Sequence, residues 1–91
     1  MMPSILDIPD IIKQFKSEKR WRNRCLLLEI IHLSMITNDN DWTIRQTARM
    51  LKLSVGQTAE NLKLARAIHD IPEINECISR NSALKLMRSK I

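Results

Sequence analysis

The sequence has little of what several classes of protein require. It has a single glycine, Gly56, and so it lacks the glycine-rich loop with which many enzymes hold phosphate groups. Its two cysteines, Cys25 and Cys77, are too far apart to form the paired-cysteine motif of a zinc site. We expect both to be reduced thiols of a cytoplasmic protein. The longest apolar stretch, Cys25 to Ile36, is interrupted by polar residues and is too short to span a membrane.

Catalytic and metal-binding patterns are missing as well. The two histidines, His32 and His69, belong to no His-Cys or His-Glu cluster. We expect His32 to be a hydrogen-bonded core residue, and His69 to lie at a helix end, where the helix dipole stabilises an imidazolium. The acidic segment 37–41 lacks the glycine and the closing glutamate of a calcium-binding loop, so it predicts a turn. We therefore predict a protein that is not an enzyme and has no catalytic residues, metal or cofactor.

The residues that are abundant favour helices. Leu, Ile, Lys, Arg, Met and Ala dominate, and 91 residues predict one domain, 1–91, with a single modest core. We predict a small all-α domain of about five to six helices containing a helix-turn-helix. Outside that motif, the helical segments are expected at Pro9 to about Phe15, about Glu18 to Ile36, Pro72 to about Ser79, and from a cap at Asn81 or Ser82 to about Lys90.

Two helices joined by a tight turn are predicted within residues 43–68. Thr43 can cap the first helix and Ser54 the second, which covers residues 55–69, and Lys52 to Ser54 form the turn. Each helix has an inward face of residues at helical spacing: Ile44, Thr47, Ala48 and Leu51 in the first, and Val55, Thr58 or Ala59, Leu62 and Ala65 in the second. This pattern is typical of a helix-turn-helix, whose second helix lies in the major groove of DNA.

The same segment resembles the helix-turn-helix of the ParB/KorB group of DNA-binding proteins. The matching residues are Thr47-Ala48, Leu51, Leu53-Ser54, Gly56 and Leu62-Lys63-Leu64-Ala65. Further on, Pro72-Glu73-Ile74 and Arg80-Asn81-Ser82-Ala83-Leu84 are similar to the continuation in phage and plasmid relatives. The sequence departs from the pattern at Lys52, where glycine is usual, and at Thr58, where valine is usual. The resemblance implies a phage- or plasmid-type protein that binds double-stranded DNA.

A net charge of +5 and a pI of about 9.7 also favour an anionic partner such as nucleic acid. Side chains with the hydrogen-bonding groups that read bases are expected on the exposed start of the second helix: Gly56, Gln57, Glu60 and Asn61. The predicted phosphate-binding residues are Thr43, Arg45, Gln46, Ser54, Lys63 and Arg66. Two further basic segments, 13–24 around Trp21 and 80–90, are either additional phosphate contacts or solvated surfaces.

The sequence thus predicts a sequence-specific transcriptional regulator that reads the major groove with helix 55–69. Two alternatives are a helical protein-interaction module, such as an adaptor or an inhibitor of a host protein, and the DNA-binding part of a phage packaging terminase. The apolar segment Cys25 to Ile36 and the short reach of one helix-turn-helix together favour a homodimer. The opening residues, MMPSILDIPD, lack the pattern of a secretion signal, so we expect a cytoplasmic location.

Overall fold

All regular structure in the part of the chain that the structure describes is helical. The computed structural model describes residues 7–90; the segment 1–6, which opens the stretch judged for a secretion signal, lies outside them. Within residues 7–90 there are five α-helices, one 3-10 helix and no strand, which confirms the all-α prediction. The elements are α1 (Ile8–Ser17), α2 (Trp21–Asn38), α3 (Ile44–Leu51), α4 (Val55–Asp70), the 3-10 helix (Pro72–Glu76) and α5 (Arg80–Ser89).

Side-chain caps fix the starts of α3 and α4, as the sequence predicts. Thr43 and Gln46 form a capping box: the Thr43 hydroxyl accepts from the Gln46 amide at 3.2 Å, and the Gln46 side chain accepts from the Thr43 amide at 2.9 Å. Ser54 caps α4 by accepting from the backbone amide of Gln57 at 3.0 Å. Such a cap typically stabilises a helix by about 1 kcal/mol. The two helices therefore begin where their sequence dictates.

Two predicted helix starts are wrong. The central helix begins at Trp21, not near Glu18, because the backbone amide of Glu18 instead closes α1 by donating to the carbonyls of Gln14 and Phe15. The cap of α5 is Ser79, whose hydroxyl accepts from the Ser82 amide at 3.1 Å. The second error arises because serine and asparagine, which both favour a helix cap, occur at several neighbouring positions.

The turn between α3 and α4 forces Lys52 into the left-handed region, with φ 59° and ψ 42°. Next to it, the amide of Leu53 donates to the carbonyl of Ala48 at 2.8 Å and so closes α3. A non-glycine residue in this conformation costs about 1 kcal/mol. The turn thus keeps its expected shape although lysine replaces glycine.

The core consists of two clusters that meet at α2. One cluster surrounds the middle of α4, and α2 contributes Cys25 to it. The other is built from Phe15, Leu28, Ile31 and Leu51, so α2 supplies half of its members. Burial raises the pKa of the Cys25 thiol to about 11. Because α2 contacts α1, α3 and α4, it is the central helix against which the two predicted DNA-binding helices pack.

A buried polar cluster attaches α3 to α2. The imidazole Nδ1 of His32 lies 2.6 Å from Oγ1 of Thr47, and the indole Nε1 of Trp42 donates to the same oxygen at 2.7 Å. His32 is therefore a hydrogen-bonded core residue, as expected, and burial lowers its pKa below the ordinary value. Within residues 7–90, no helix has both the length and the apolar character needed to cross a membrane.

Candidate nucleic-acid interface

One face of α3 and the following turn carries cations without acidic partners. Arg45 and Arg49 are four residues apart and so lie on one side of α3, and Lys52 follows three residues later in the turn. All three are exposed, and none forms an ion pair with another described residue. The surrounding stretch 42–59 contains no aspartate or glutamate. This part of the surface is therefore positively charged and free to bind an anion.

The sequence-based prediction named Arg45 as a phosphate-binding residue but did not name Lys52. The signal that could have identified Arg49 was its spacing of four residues from Arg45, on a helix whose other side holds the buried Thr47, Ala48 and Leu51. Lys52 was considered only for its backbone conformation. In the structure its side chain is exposed in the turn directly after α3.

The capping residues at the helix starts are exposed, but some of their hydrogen-bonding groups are already used within the caps. The hydroxyl of Thr43 donates to Oε1 of Gln46 at 3.2 Å, so this hydroxyl proton is already used in the capping box. The side-chain nitrogen Nε2 of Gln46 and the hydroxyl proton of Ser54 have no partner among residues 7–90. Gln46 and Ser54 can therefore each donate to a phosphate oxygen, and Thr43 acts by holding Gln46 in place.

The exposed side of α4 starts with small residues and continues with cations. Gly56, Lys63 and Arg66 are exposed, and Ala59 between them is half-buried. Arg66 pairs with Asp70 at 3.5 Å across an exposed surface, where such pairs contribute little. Gly56, Lys63 and Arg66 therefore lie on the outer side of the helix, as predicted.

Gly56 has no steric role within the described chain. Its φ is not positive, and a Cβ atom added there would meet nothing within 4 Å. A glycine inside a helix is less stable than alanine by roughly 0.5–1 kcal/mol. The fold would therefore accept a larger residue here, and the glycine leaves the backbone of the first turn of α4 open to close approach.

The expectation that Asn61 lies on the exposed side of α4 is wrong. Its side chain is buried, and its Oδ1 accepts a hydrogen bond from Nε of Arg80 at 2.8 Å. The physical reason is helical periodicity: position 61 lies three residues after buried Thr58 and three before buried Leu64. Asn61 is consequently unavailable for reading bases in this structure.

Glu60 is half-buried and already holds two cations. Its Oε1 accepts from Nη2 of Arg80 at 2.5 Å, and its Oε2 accepts from Nη2 of Arg88 at 3.2 Å. Of the four predicted base-reading residues, only Gly56 and Gln57 are exposed, and the Gln57 side chain has no hydrogen-bond partner among the described residues.

Two inward-facing assignments in the same motif also need correction. Ile44 and Val55 were expected to face the core, but they are 36% and 41% exposed. Each is the first residue of its helix, before neighbouring turns can cover it. Both helix starts therefore present a partly exposed apolar side chain.

Several cations of the two additional basic segments are occupied by contacts within the protein. In segment 13–24, Arg24 donates to the carbonyls of Phe15 and Glu18 at 2.8 and 3.0 Å and lies over the Phe15 ring, so it is structural. Trp21 is half-buried against the core. In segment 80–90, two acids from elsewhere pair with three cations: Arg80 and Arg88 pair with Glu60, and Lys90 pairs with Glu73.

Comparisons of this chain with protein-family models, with curated proteins and with solved structures found no match.

Proposed function

We propose that this protein binds duplex DNA through α3, the turn and the start of α4, as a sequence-specific regulator of the phage or plasmid type. The observation that carries this proposal is the set of unpaired cations Arg45, Arg49 and Lys52 on α3 and the turn. Exposed cations that have no internal partner attract phosphate groups at low cost, since no ion pair has to break first.

The proposal divides the exposed side chains into two groups. Arg45, Arg49, Lys52 and Lys63 contact phosphates and so set the general affinity and orientation. Gln57 reads a base edge, because its free amide can bond bidentately to adenine in the major groove. Gly56 next to it allows the backbone of α4 to lie close to the duplex. Thr43, Gln46 and Ser54 support the same contact from the two helix starts.

The salt dependence of binding to random duplex DNA tests the proposal. Fluorescence anisotropy of a labelled duplex should give an affinity that falls steeply with salt. Replacing one phosphate-binding cation, as in Arg49→Gln, should reduce the slope by about one unit. Lys16→Gln on α1 is the matched control, because Lys16 is also exposed and unpaired and loses the same charge.

The outcomes separate the possible surfaces. A smaller slope in Arg49→Gln, with no change in the control, supports binding through α3. A smaller slope only in Lys16→Gln would place DNA on the segment 13–24. The absence of salt-dependent binding in the unaltered protein would overturn DNA binding altogether.

One observation favours the alternative of a protein-interaction module. A groove of about 310 Å³ lies between α2, α3 and α4, and its walls include Leu33, Ile44 and Leu62. Leu33 is 44% exposed. If a partner protein bound there, Leu33→Lys would abolish its binding and leave the salt dependence on DNA unchanged.

The homodimer expected from the sequence stays a prediction. Within the segment 25–36, every apolar side chain is buried or half-buried except that of Leu33. What supports a dimer now is the DNA site, since one helix-turn-helix contacts only a few base pairs and specificity usually requires a two-fold pair. Sedimentation of the free protein and of its DNA complex should show two copies per specific site; one copy on DNA would contradict this.

A further inference from the structure

A second groove lies beside the proposed DNA-binding surface, between α4 and α5. It has a volume of about 400 Å³ and is lined by Gly56, Ala59, Glu60, Lys63, Met87 and Arg88. Its α4 wall starts with the two small residues, glycine and alanine, and the cation of Lys63 follows one turn further along. Across the groove, α5 contributes the guanidinium of Arg88. The groove therefore has a cation on each side.

The carboxylate of Glu60 lies in this groove and is the one acid that lines it. In the free protein it accepts from both Arg80 and Arg88. The two arginines are held differently. Arg80 is 31% exposed and makes a second hydrogen bond, to Asn61, whereas Arg88 is 64% exposed and reaches Glu60 at 3.2 Å. The Arg80 contact is therefore the structural one, and the Arg88 contact is the one that an incoming anion can replace.

We propose that the groove between α4 and α5 binds a phosphate group of the DNA backbone through Lys63 and Arg88, and that Glu60 occupies Arg88 in the free protein. This inference rests on the proposed DNA-binding function. It adds α5 to the proposed interface. It also changes the role of Glu60: this carboxylate competes with phosphate for Arg88 and does not read a base.

The chemistry favours phosphate over a base in this groove. Arginine can form two parallel hydrogen bonds with phosphate oxygens, and it does so more strongly than with a single carboxylate oxygen. The pair that must open is weak, because solvent screens the largely exposed guanidinium of Arg88. The open wall at Gly56, where a Cβ would meet nothing within 4 Å, leaves room for a sugar-phosphate chain.

The proposal predicts opposite effects of removing the two partners. Arg88→Gln should reduce the salt slope on random duplex DNA by about one unit, since one phosphate contact is lost. Glu60→Gln should raise the affinity by about two- to fivefold, because Arg88 no longer has to leave a carboxylate. The double variant Glu60→Gln with Arg88→Gln should lose this gain, since the two substitutions act on one pair.

Two control variants isolate the groove from general charge effects. Lys85→Gln removes an exposed, unpaired cation from the same helix as Arg88, and it should leave the slope unchanged if only the groove contacts DNA. Glu76→Gln removes an exposed, unpaired acid from the 3-10 helix, and its effect measures what any loss of negative charge does. Circular dichroism of each variant shows whether it is folded, and Arg88→Gln alters an exposed side chain that contributes little to packing.

Each result supports or rejects a distinct statement. If the affinity of the unaltered protein for DNA falls steeply with salt and Arg88→Gln has the same slope, the groove is not a phosphate site. The proposed function would remain intact. A loss of affinity for a preferred sequence in Glu60→Gln would return Glu60 to base reading and contradict its role as competitor. If the unaltered protein showed no salt-dependent binding to DNA, the proposed function would be rejected, and with it the groove as a phosphate site.

Discussion

His32 and Thr47 are joined by a hydrogen bond of 2.6 Å that links the central helix α2 to α3. The indole of Trp42 can only donate, so it occupies a lone pair of the Thr47 hydroxyl and leaves the hydroxyl proton for Nδ1 of His32. This arrangement suits the neutral imidazole.

This buried contact predicts a pH-dependent stability. Burial lowers the pKa of folded His32 below its ordinary value of 6.5, so the unfolded chain binds more protons in the interval between the two values. The free energy of unfolding should therefore be highest above the ordinary pKa and fall as the pH drops below it. Urea unfolding between about pH 5 and about pH 8 measures this dependence.

The variant His32→Gln isolates the contribution of that residue. It should unfold with a weaker pH dependence than the unaltered protein, whatever its absolute stability. His69→Gln is the control, because His69 is exposed and contacts Glu29 at 3.0 Å, outside the buried cluster. An equal pH dependence in His32→Gln and the unaltered protein would contradict the assignment.

Replacing Gly56 by alanine should separate stability from binding. The substitution should raise the free energy of unfolding by about 0.5–1 kcal/mol, because alanine favours the helix and no neighbour obstructs its Cβ. The same variant should bind duplex DNA more weakly, since the new methyl group holds the backbone away from the duplex. Thermal unfolding and anisotropy on one sample test both effects. A less stable protein, or an unchanged affinity, would reject the corresponding part.

Gln57→Ala should impair specific binding only. Once a preferred sequence has been selected from a random duplex library, the variant should lose about 1–3 kcal/mol on that sequence and little on random DNA. Gln14→Ala on α1 is the matched control, because Gln14 is an exposed glutamine on a helix outside the proposed interface. Equal losses of Gln57→Ala on both DNAs would show that Gln57 does not read bases.

Asn61→Ala should instead weaken the fold. Arg80 would lose the acceptor for its Nε, and hydrogen bonds to charged groups contribute about 1.5–3 kcal/mol where they are shielded from water. Because Arg80 is partly exposed, we expect a loss of about 1 kcal/mol in the free energy of unfolding. Asn40→Ala, in the exposed turn after α2, is the control and should be close to neutral. Unchanged stability in Asn61→Ala would mean that water replaces its amide.

Local signals in the sequence determine most of the helices. The caps Thr43 and Ser54, the apolar spacing of α3 and the turn at Lys52 all act within a few residues, so the two helices and their connection could be predicted. The start of α5 was misplaced by a few residues, because Ser79, Asn81 and Ser82 are all residues that favour a helix cap. Only the surrounding chain determines which of them is used.

The candidate site was less predictable because its key contacts join distant parts of the chain. Glu60 and Arg80 are twenty residues apart, and Arg88 is separated from Glu60 by twenty-eight. Nothing in the local pattern indicates that α5 returns to α4 and neutralises this carboxylate. The burial of Asn61 could have been predicted from helical spacing, since its position continues the inward row of α4. Its polarity suggested an exposed role.

The burial of Cys25 has a practical consequence for measuring these interactions. The thiolate is the reactive form of cysteine, and a thiol whose pKa is raised to about 11 is almost fully protonated at neutral pH. Cys77 is only half-buried, beyond the end of the 3-10 helix and shortly before α5. A maleimide dye should therefore attach to the native sequence at one place, without any engineered cysteine. The protein thus provides its own attachment point for a fluorophore, close to the helix whose contact with DNA is in question.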